Sequence, residues 1–186
     1  MIPSIETCKQ LLSTYHMEEK KKIHSEMVTK VASLIAKKIA EKSDIHIRLV
    51  QSAALLHDLD KALEKKEGER HPDAGVRFMK EQGYDELISI ITKHPVHTIL
   101  DEQQKPTTIE EKVVFLSDKM VKYDMIGVKQ RFALWLAENS GPEQKKVFET
   151  AYPKVLALEK EIAGMIGMNS IEFESWIIKN YIKEEI

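Results

Sequence analysis

The chain holds one cysteine, Cys8, in 186 residues. That excludes an intrachain disulfide framework and suits a reducing cytoplasm. The N-terminus lacks a long apolar core, and no later run approaches the length needed to span a bilayer, so nothing points to export or to a membrane. The alternating pattern of half-buried strands is missing, as are the Asn-Gly and Asp-Gly pairs that mark hairpins. Charge of one sign is missing too. With 28 basic against 30 acidic residues the formal net charge is -2, which gives no global attraction to a nucleic acid polymer. Lys20-Lys21-Lys22 is the sole compact basic run, and it reads as a solvated helical turn. No internal repeat or low-complexity tract is visible.

What the sequence has in abundance is helical periodicity, which predicts an all-α fold in a chain long enough for one domain. A short helix is expected over about Ser4–Ser13, a long one over Glu18–Glu41 and a third over Asp44–Asp58, breaking down within Leu59-Asp60-Lys61. Glu64 to Arg70 reads as an exposed charged loop. His71-Pro72 opens another helix, with proline at home in the first turn and Asp73 complementing the dipole, and Gly83 ends it. A helix over Asp85–His94 must stop before Pro95, Asp101 to Thr107 is irregular, and Thr108 starts a helix running through Asp118. Three amphipathic helices follow, over about Ile126–Glu138, Pro142–Ile166 and Ser170–Lys183. The expected organisation is a helical core over residues 1–125, with residues 126–186 as an extension packed on it, serving as packing, lid or dimer surface.

Several metal-ligand residue types stand on apolar helix faces. His24 shares a face with Val28, Val31 and Ile35. His57 aligns with Val50, Ala53 and Ala54, and Asp58 with Ala54 and Leu55. His94 follows Leu87, Ile90 and Ile91, and Asp118 borders a stripe with Val114, Phe115 and Val121. Burying an ionised carboxylate or an unsatisfied imidazole costs several kcal/mol, so these groups need partners. A metal ion is the simplest common one.

The ordered set of His24, His57-Asp58 and Asp118 resembles the H…HD…D signature of the HD-domain metal-dependent phosphohydrolase superfamily. With His71 and His94 included, it resembles the H…HD…H…H…D pattern of the dinuclear branch that contains the symmetrical bis(5'-nucleosyl)-tetraphosphatases. The likeness covers about His24 to Lys122. It implies an HD-domain helical bundle with additional C-terminal helices. His24, His57, Asp58, His71, His94 and Asp118 would be ligands to one or two divalent transition-metal ions, with Asp58 bridging. Mixed nitrogen and oxygen donors suit Fe, Mn, Co, Ni or Zn. His71-Pro72-Asp73-Ala74-Gly75 looks like the family's His-x-x-x-Gly segment, its glycine allowing close approach. The common His-Asp-Ile-Gly-Lys becomes His57-Asp58-Leu59-Asp60-Lys61, which keeps the lysine and adds a carboxylate.

The resemblance implies hydrolysis of a nucleotide or another small phosphoester or phosphoanhydride by metal-activated water. Asp58, Lys61 and Asp60 are the catalytic candidates. Lys61, Arg70 and His97 are the candidates for holding substrate, with Lys65 behind them. The same ligand pattern also occurs in di-iron oxygenases, and a site that binds nucleotide without turnover would make a sensor. The expected partner is a small phosphorylated molecule, and a homodimer through the C-terminal helices is an open expectation.

Overall fold

The computed structural model describes residues 1–138 and 141–186. Among them are nine α-helices and three 3-10 turns, and no strand; one isolated bridge pairs Val121 with Met125. The fold is all-α. The first helix, α1 (Ile5–Thr14), is capped by the Ser4 hydroxyl, which accepts from the Thr7 amide at 3.0 Å. Next come α2 (Glu19–Ala40) and α3 (Ile47–Leu56), a 3-10 turn over Leu59–Ala62, α4 (Asp73–Glu81), α5 (Asp85–Lys93) and a second 3-10 turn over Val96–Leu100. The chain continues through α6 (Ile109–Met120), α7 (Gly127–Glu138), α8 (Pro142–Met165) and α9 (Ser170–Asn180), and ends in a third 3-10 turn over Tyr181–Lys183.

The centre is the mutual packing of α2, α3 and α6. Val28, Val31 and Ile35 of α2, Val50, Ala53 and Ala54 of α3, and Val113, Val114 and Phe115 of α6 are fully buried there. Removal of that much apolar surface from water is the main force holding the bundle. On one side α4 packs on α5 and on the turn at Leu59–Ala62; on the other, α7 and α8 lie against α6, and α9 against α2 and α8. No helix among the described residues is long and apolar enough to cross a membrane.

Two devices fix the elements that carry the site. The first is Glu111, only 3% exposed, which completes a capping box with Thr108 at the start of α6. Its carboxylate also takes both contacts from Lys93 Nζ at 2.9 Å and the Thr107 amide at 2.7 Å, so α5 and α6 are tied together at one end. The second is Arg77 of α4, which grips Glu69 through Nε at 2.7 Å and the Glu64 carbonyl at 2.9 Å. The charged loop beside the site is thereby strapped to a helix.

Helix limits follow the sequence expectation closely, except that Pro72 caps α4 instead of standing in its first turn, α9 gives way to a 3-10 turn after Asn180, and two further differences have a visible cause. First, α3 begins at Ile47 instead of Asp44, because the His46 ring accepts from the Leu49 amide at 3.2 Å and the Glu110 carboxylate takes the His46 amide at 3.0 Å. Second, the segment after Pro95 winds into a 3-10 turn, where Thr98 Oγ1 bonds back to the Lys93 and Pro95 carbonyls at 2.6 and 2.8 Å.

Candidate metal centre

His57 and His94 occupy the same structural position on different helices. Each is the C-cap of its helix, α3 and α5 respectively. Each Nδ1–H donates to the carbonyl three residues back, His57 to Ala54 at 2.7 Å and His94 to Ile91 at 2.6 Å. The bond satisfies a carbonyl that the helix end would otherwise orphan. It also fixes the tautomer, so each Nε2 presents a lone pair. Both Nε2 atoms are buried and have no hydrogen-bond partner.

The other two imidazoles follow the same logic with different partners. His24, near the start of α2 and first on its buried face, places Nδ1 2.8 Å from the Lys122 carbonyl in the tight turn that the Val121–Met125 bridge closes. His71 places Nδ1 3.0 Å from both carboxylate oxygens of Asp60. Gly75 makes this possible, since a Cβ there would stand 3.3 Å from Asp60 Cβ. The close approach is between α4 and the turn that carries Asp60. Four rings with Nδ1 engaged thus turn Nε2 inward, in a row with centroid spacings of 5.3 Å (His24–His57), 5.0 Å (His57–His94) and 4.7 Å (His94–His71).

Asp58, directly after the α3 cap, divides its carboxylate between the two ends of that row. Its Oδ2 is 3.5 Å from His57 Nε2 and 4.0 Å from His24 Nε2. Its Oδ1 is 3.6 Å from His94 Nε2 and 3.9 Å from His71 Nε2. Asp118 of α6 joins the first end, with Oδ1 3.1 Å from His24 Nε2 and 3.7 Å from His57 Nε2. Two groups able to hold a metal ion result, His24–His57–Asp58 and Asp58–His71–His94, and they share Asp58.

The electrostatics fit a cation. Burial pulls the His57 pKa down to about 4, against the raising pull of Asp58 and Asp118, and burial lowers His94 as well. Burial acts to raise Asp58 and Asp118, but the rings and lysines around them outweigh it and hold both well below the ordinary carboxylate range. Neutral imidazole lone pairs therefore face ionised carboxylates. The 3.1 Å contact between His24 Nε2 and Asp118 Oδ1, two electron-rich atoms when Nδ1 carries the proton, calls for positive charge between them. The donor set fits divalent metal binding.

The centre floors a cavity of about 510 Å³. Lys61 lies on its rim with Nζ 2.5 Å from Asp58 Oδ2, and His97 also lines it. Asp60 is buried behind His71, away from the cavity, where it orients a ring. Arg70 is exposed and does not line the cavity; its amide donates to Asp73 at 2.9 Å, and Lys65 stands off at 4.0 Å from Asp60. The cavity lining also includes residues that sequence reasoning passed over: Lys119, Lys122, Arg131, Trp135 and Phe148. Lys119 is buried, and its Nζ donates to the His94 carbonyl at 2.6 Å and to Asp118, so one ammonium links α6 to the end of α5. The signal that could have found Arg131 and Trp135 is their spacing of four, which sets them on one face of α7.

Residues 22–122 match the HD domain family, more than half of the chain. The chain belongs to the HD domain family. Two curated relatives extend the likeness beyond the HD segment. A tRNA (cytidine(56)-2'-O)-methyltransferase of Thermoplasma volcanium is 28% identical over 183 residues, covering 92% of this chain and 50% of the relative. Its namesake in Picrophilus torridus is 27% identical over 178 residues, covering 89% and 48%. The chain spans about half the length of the curated relatives it matches. No solved structure matches it.

These relatives overturn one expectation. The HD pattern suggested a metal-dependent phosphohydrolase of nucleotides or small phosphoesters, yet these two curated relatives, each matching about nine-tenths of this HD chain, are named for methyl transfer to tRNA. The same names lend nothing to the oxygenase or silent-sensor alternatives. A metal-ligand pattern reports the ions a fold can hold, and function resides in what those ions are set against.

Proposed function

We propose that this HD chain serves tRNA 2'-O-methylation as a metal-dependent unit that holds the tRNA by its phosphates. The observation that carries the reading is the shared name of the relatives, each matched along about nine-tenths of this chain. The cavity supports it chemically. His24, His57, Asp58, His71, His94 and Asp118 would hold the ions, with Mn, Fe, Co, Ni or Zn suited to the mixed donors. A divalent ion there supplies concentrated positive charge to anionic oxygens. Lys20, Lys21, Lys61, Lys122 and Arg131 line the same cavity, and Lys and Arg are the usual partners of RNA phosphates.

The division of labour is part of the proposal. In methylation of a ribose hydroxyl, O2' attacks the methyl carbon of a sulfonium donor, the S–C bond breaks and the hydroxyl proton passes to a base. A donor that is itself cationic is disfavoured beside metal ions and basic side chains. The HD cavity therefore suits the polyanion, and the methyl donor belongs with the half of the relatives that this chain does not match.

The test is binding of an unmodified tRNA transcript to the manganese-loaded chain, followed by fluorescence anisotropy and paired with a methyl-transfer assay using labelled S-adenosylmethionine. Chelation or Asp58→Asn should weaken tRNA binding about ten-fold or more, and the chain alone should transfer no label. Binding indifferent to metal would defeat the reading, and methylation by the chain alone would defeat the division of labour.

A further inference from the structure

Arg131 lies on α7, beyond the segment that matches the HD family. Its guanidinium carbon sits 4.6 Å above the Trp135 ring, one turn along the same helix. Trp135 stacks in turn on Phe148 of α8, with centroids 5.2 Å apart and planes 16° from parallel, while Phe132 meets it edge-on at 5.0 Å. The guanidinium therefore sits over a braced aromatic platform. It lines the same cavity as His24, Asp58, His71, His94 and Asp118, and the charges of Asp118, Glu138 and Asp58 act on it.

The decisive atom is Arg131 Nε, which is buried and has no hydrogen-bond partner. A buried N–H without an acceptor is costly and rare, and this one belongs to a permanent cation beside a cavity. Lys61, Lys119 and Lys122 line the same cavity, but each is held by a carboxylate, Asp58, Asp118 and Glu138 respectively, so a phosphate must compete for them. A planar guanidinium with a supported face and an unspent in-plane donor matches a tetrahedral oxyanion, to which it offers two parallel N–H bonds.

We propose that Arg131 is the phosphate clamp of this HD site, binding two oxygens of one phosphate group through Nε–H and a terminal N–H, with Trp135 as its positioning residue. The C-terminal helices then complete the binding site as well as packing on the core. The clamp deepens the tRNA-holding role and rests on it for the source of the phosphate, whereas its chemistry is the same for a free phosphate ion.

The experiment measures inorganic phosphate binding to the manganese-loaded full chain by calorimetry, with tRNA binding in parallel. Arg131→Gln should weaken phosphate binding about ten-fold or more at unchanged metal content, and Arg131→Lys should restore it only in part, because a point charge cannot make the paired contact. Trp135→Ala should weaken it as well, with Trp135→Phe recovering most of the loss. Phosphate affinity unchanged in Arg131→Gln, or lost only together with the metal, would overturn the clamp; affinity unchanged in Trp135→Ala would overturn the platform. If phosphate binding depends on Arg131 while wild-type chain ignores tRNA, the clamp stands and the tRNA reading falls. If tRNA binds in a metal-dependent way and Arg131→Gln changes neither ligand, the clamp falls alone.

Discussion

His71 Nδ1 stands 3.0 Å from each carboxylate oxygen of Asp60, so a buried carboxylate decides which nitrogen of His71 faces the metal centre. Such orienting partners contribute about 10- to 100-fold to metal affinity. Asp60→Asn is therefore expected to weaken the Asp58–His71–His94 group by that factor and to leave His24–His57–Asp58 nearly intact. Competition titration with a chelating dye should resolve one weakened site; equal weakening of both would contradict it.

Asp58 gives one oxygen to each ligand group, whereas Asp118 approaches only His24 and His57. Asp58→Asn should empty both groups, and Asp118→Asn only the first. Elemental analysis of anaerobically purified variants checks this: Asp118→Asn should retain about half of the wild-type metal and Asp58→Asn almost none.

Glu111 ties α5 to α6. Burial acts to raise its pKa, but hydrogen bonds from Ser89, the Thr107 amide, Lys93 and the Thr108 amide prevail and hold it at about 2, below the ordinary 4.5. A carboxyl depressed by folding stabilises the fold fully above the ordinary value, and the contribution fades as pH falls from about 4.5 toward 2. Glu111→Gln should cost about 3 kcal/mol at neutral pH and flatten that acid limb. Urea unfolding at pH 7, 4 and 3 reads both effects.

Glu159 of α8 has the opposite sign. Burial first and then the nearby Glu174 raise its pKa to about 7, and its Oε1 is buried without a hydrogen-bond partner. The folded state keeps a proton that the unfolded chain releases above about pH 4.5, so this residue's contribution falls as pH rises from about 4.5 to 7. Glu159→Gln should stabilise the protein by up to about 3 kcal/mol at pH 8 and by little at pH 4.5. Thermal melts at those two pH values decide it.

The residues of the buried His/Asp cluster were legible because polar groups on apolar faces stand out. His24 among Val28, Val31 and Ile35 has no bland place to go, and the row of imidazoles shows where it goes. What periodicity could not carry is contact between distant segments. Asp60 looks in sequence like an extra negative charge beside a phosphate-type site, and only the close approach at Gly75 shows it behind His71. Trp135 reads as part of an aromatic and aliphatic packing stripe and Arg131 carries no signal of its own, because a helix wheel does not say which cavity a stripe closes. The 3-10 turn over Val96–Leu100 is too short to have a period at all. The partner was the least legible: ligand types specify ions, and nothing in their spacing distinguishes a small phosphoester from a tRNA.

The two ends of the imidazole row are anchored to unequal parts of the fold. His24, His57, Asp58 and Asp118 ride on or beside α2, α3 and α6, which bury one another, and His94 closes α5, itself packed on α3 and α6. His71 instead precedes α4, which packs on α5 and on the turn at Leu59–Ala62, and its side chain is 33% exposed. Backbone amides of α2, α3 and α6 should therefore exchange with deuterated solvent only through global unfolding, and those of α4 through smaller, more frequent openings, which would make His71 the corner of the centre that opens first.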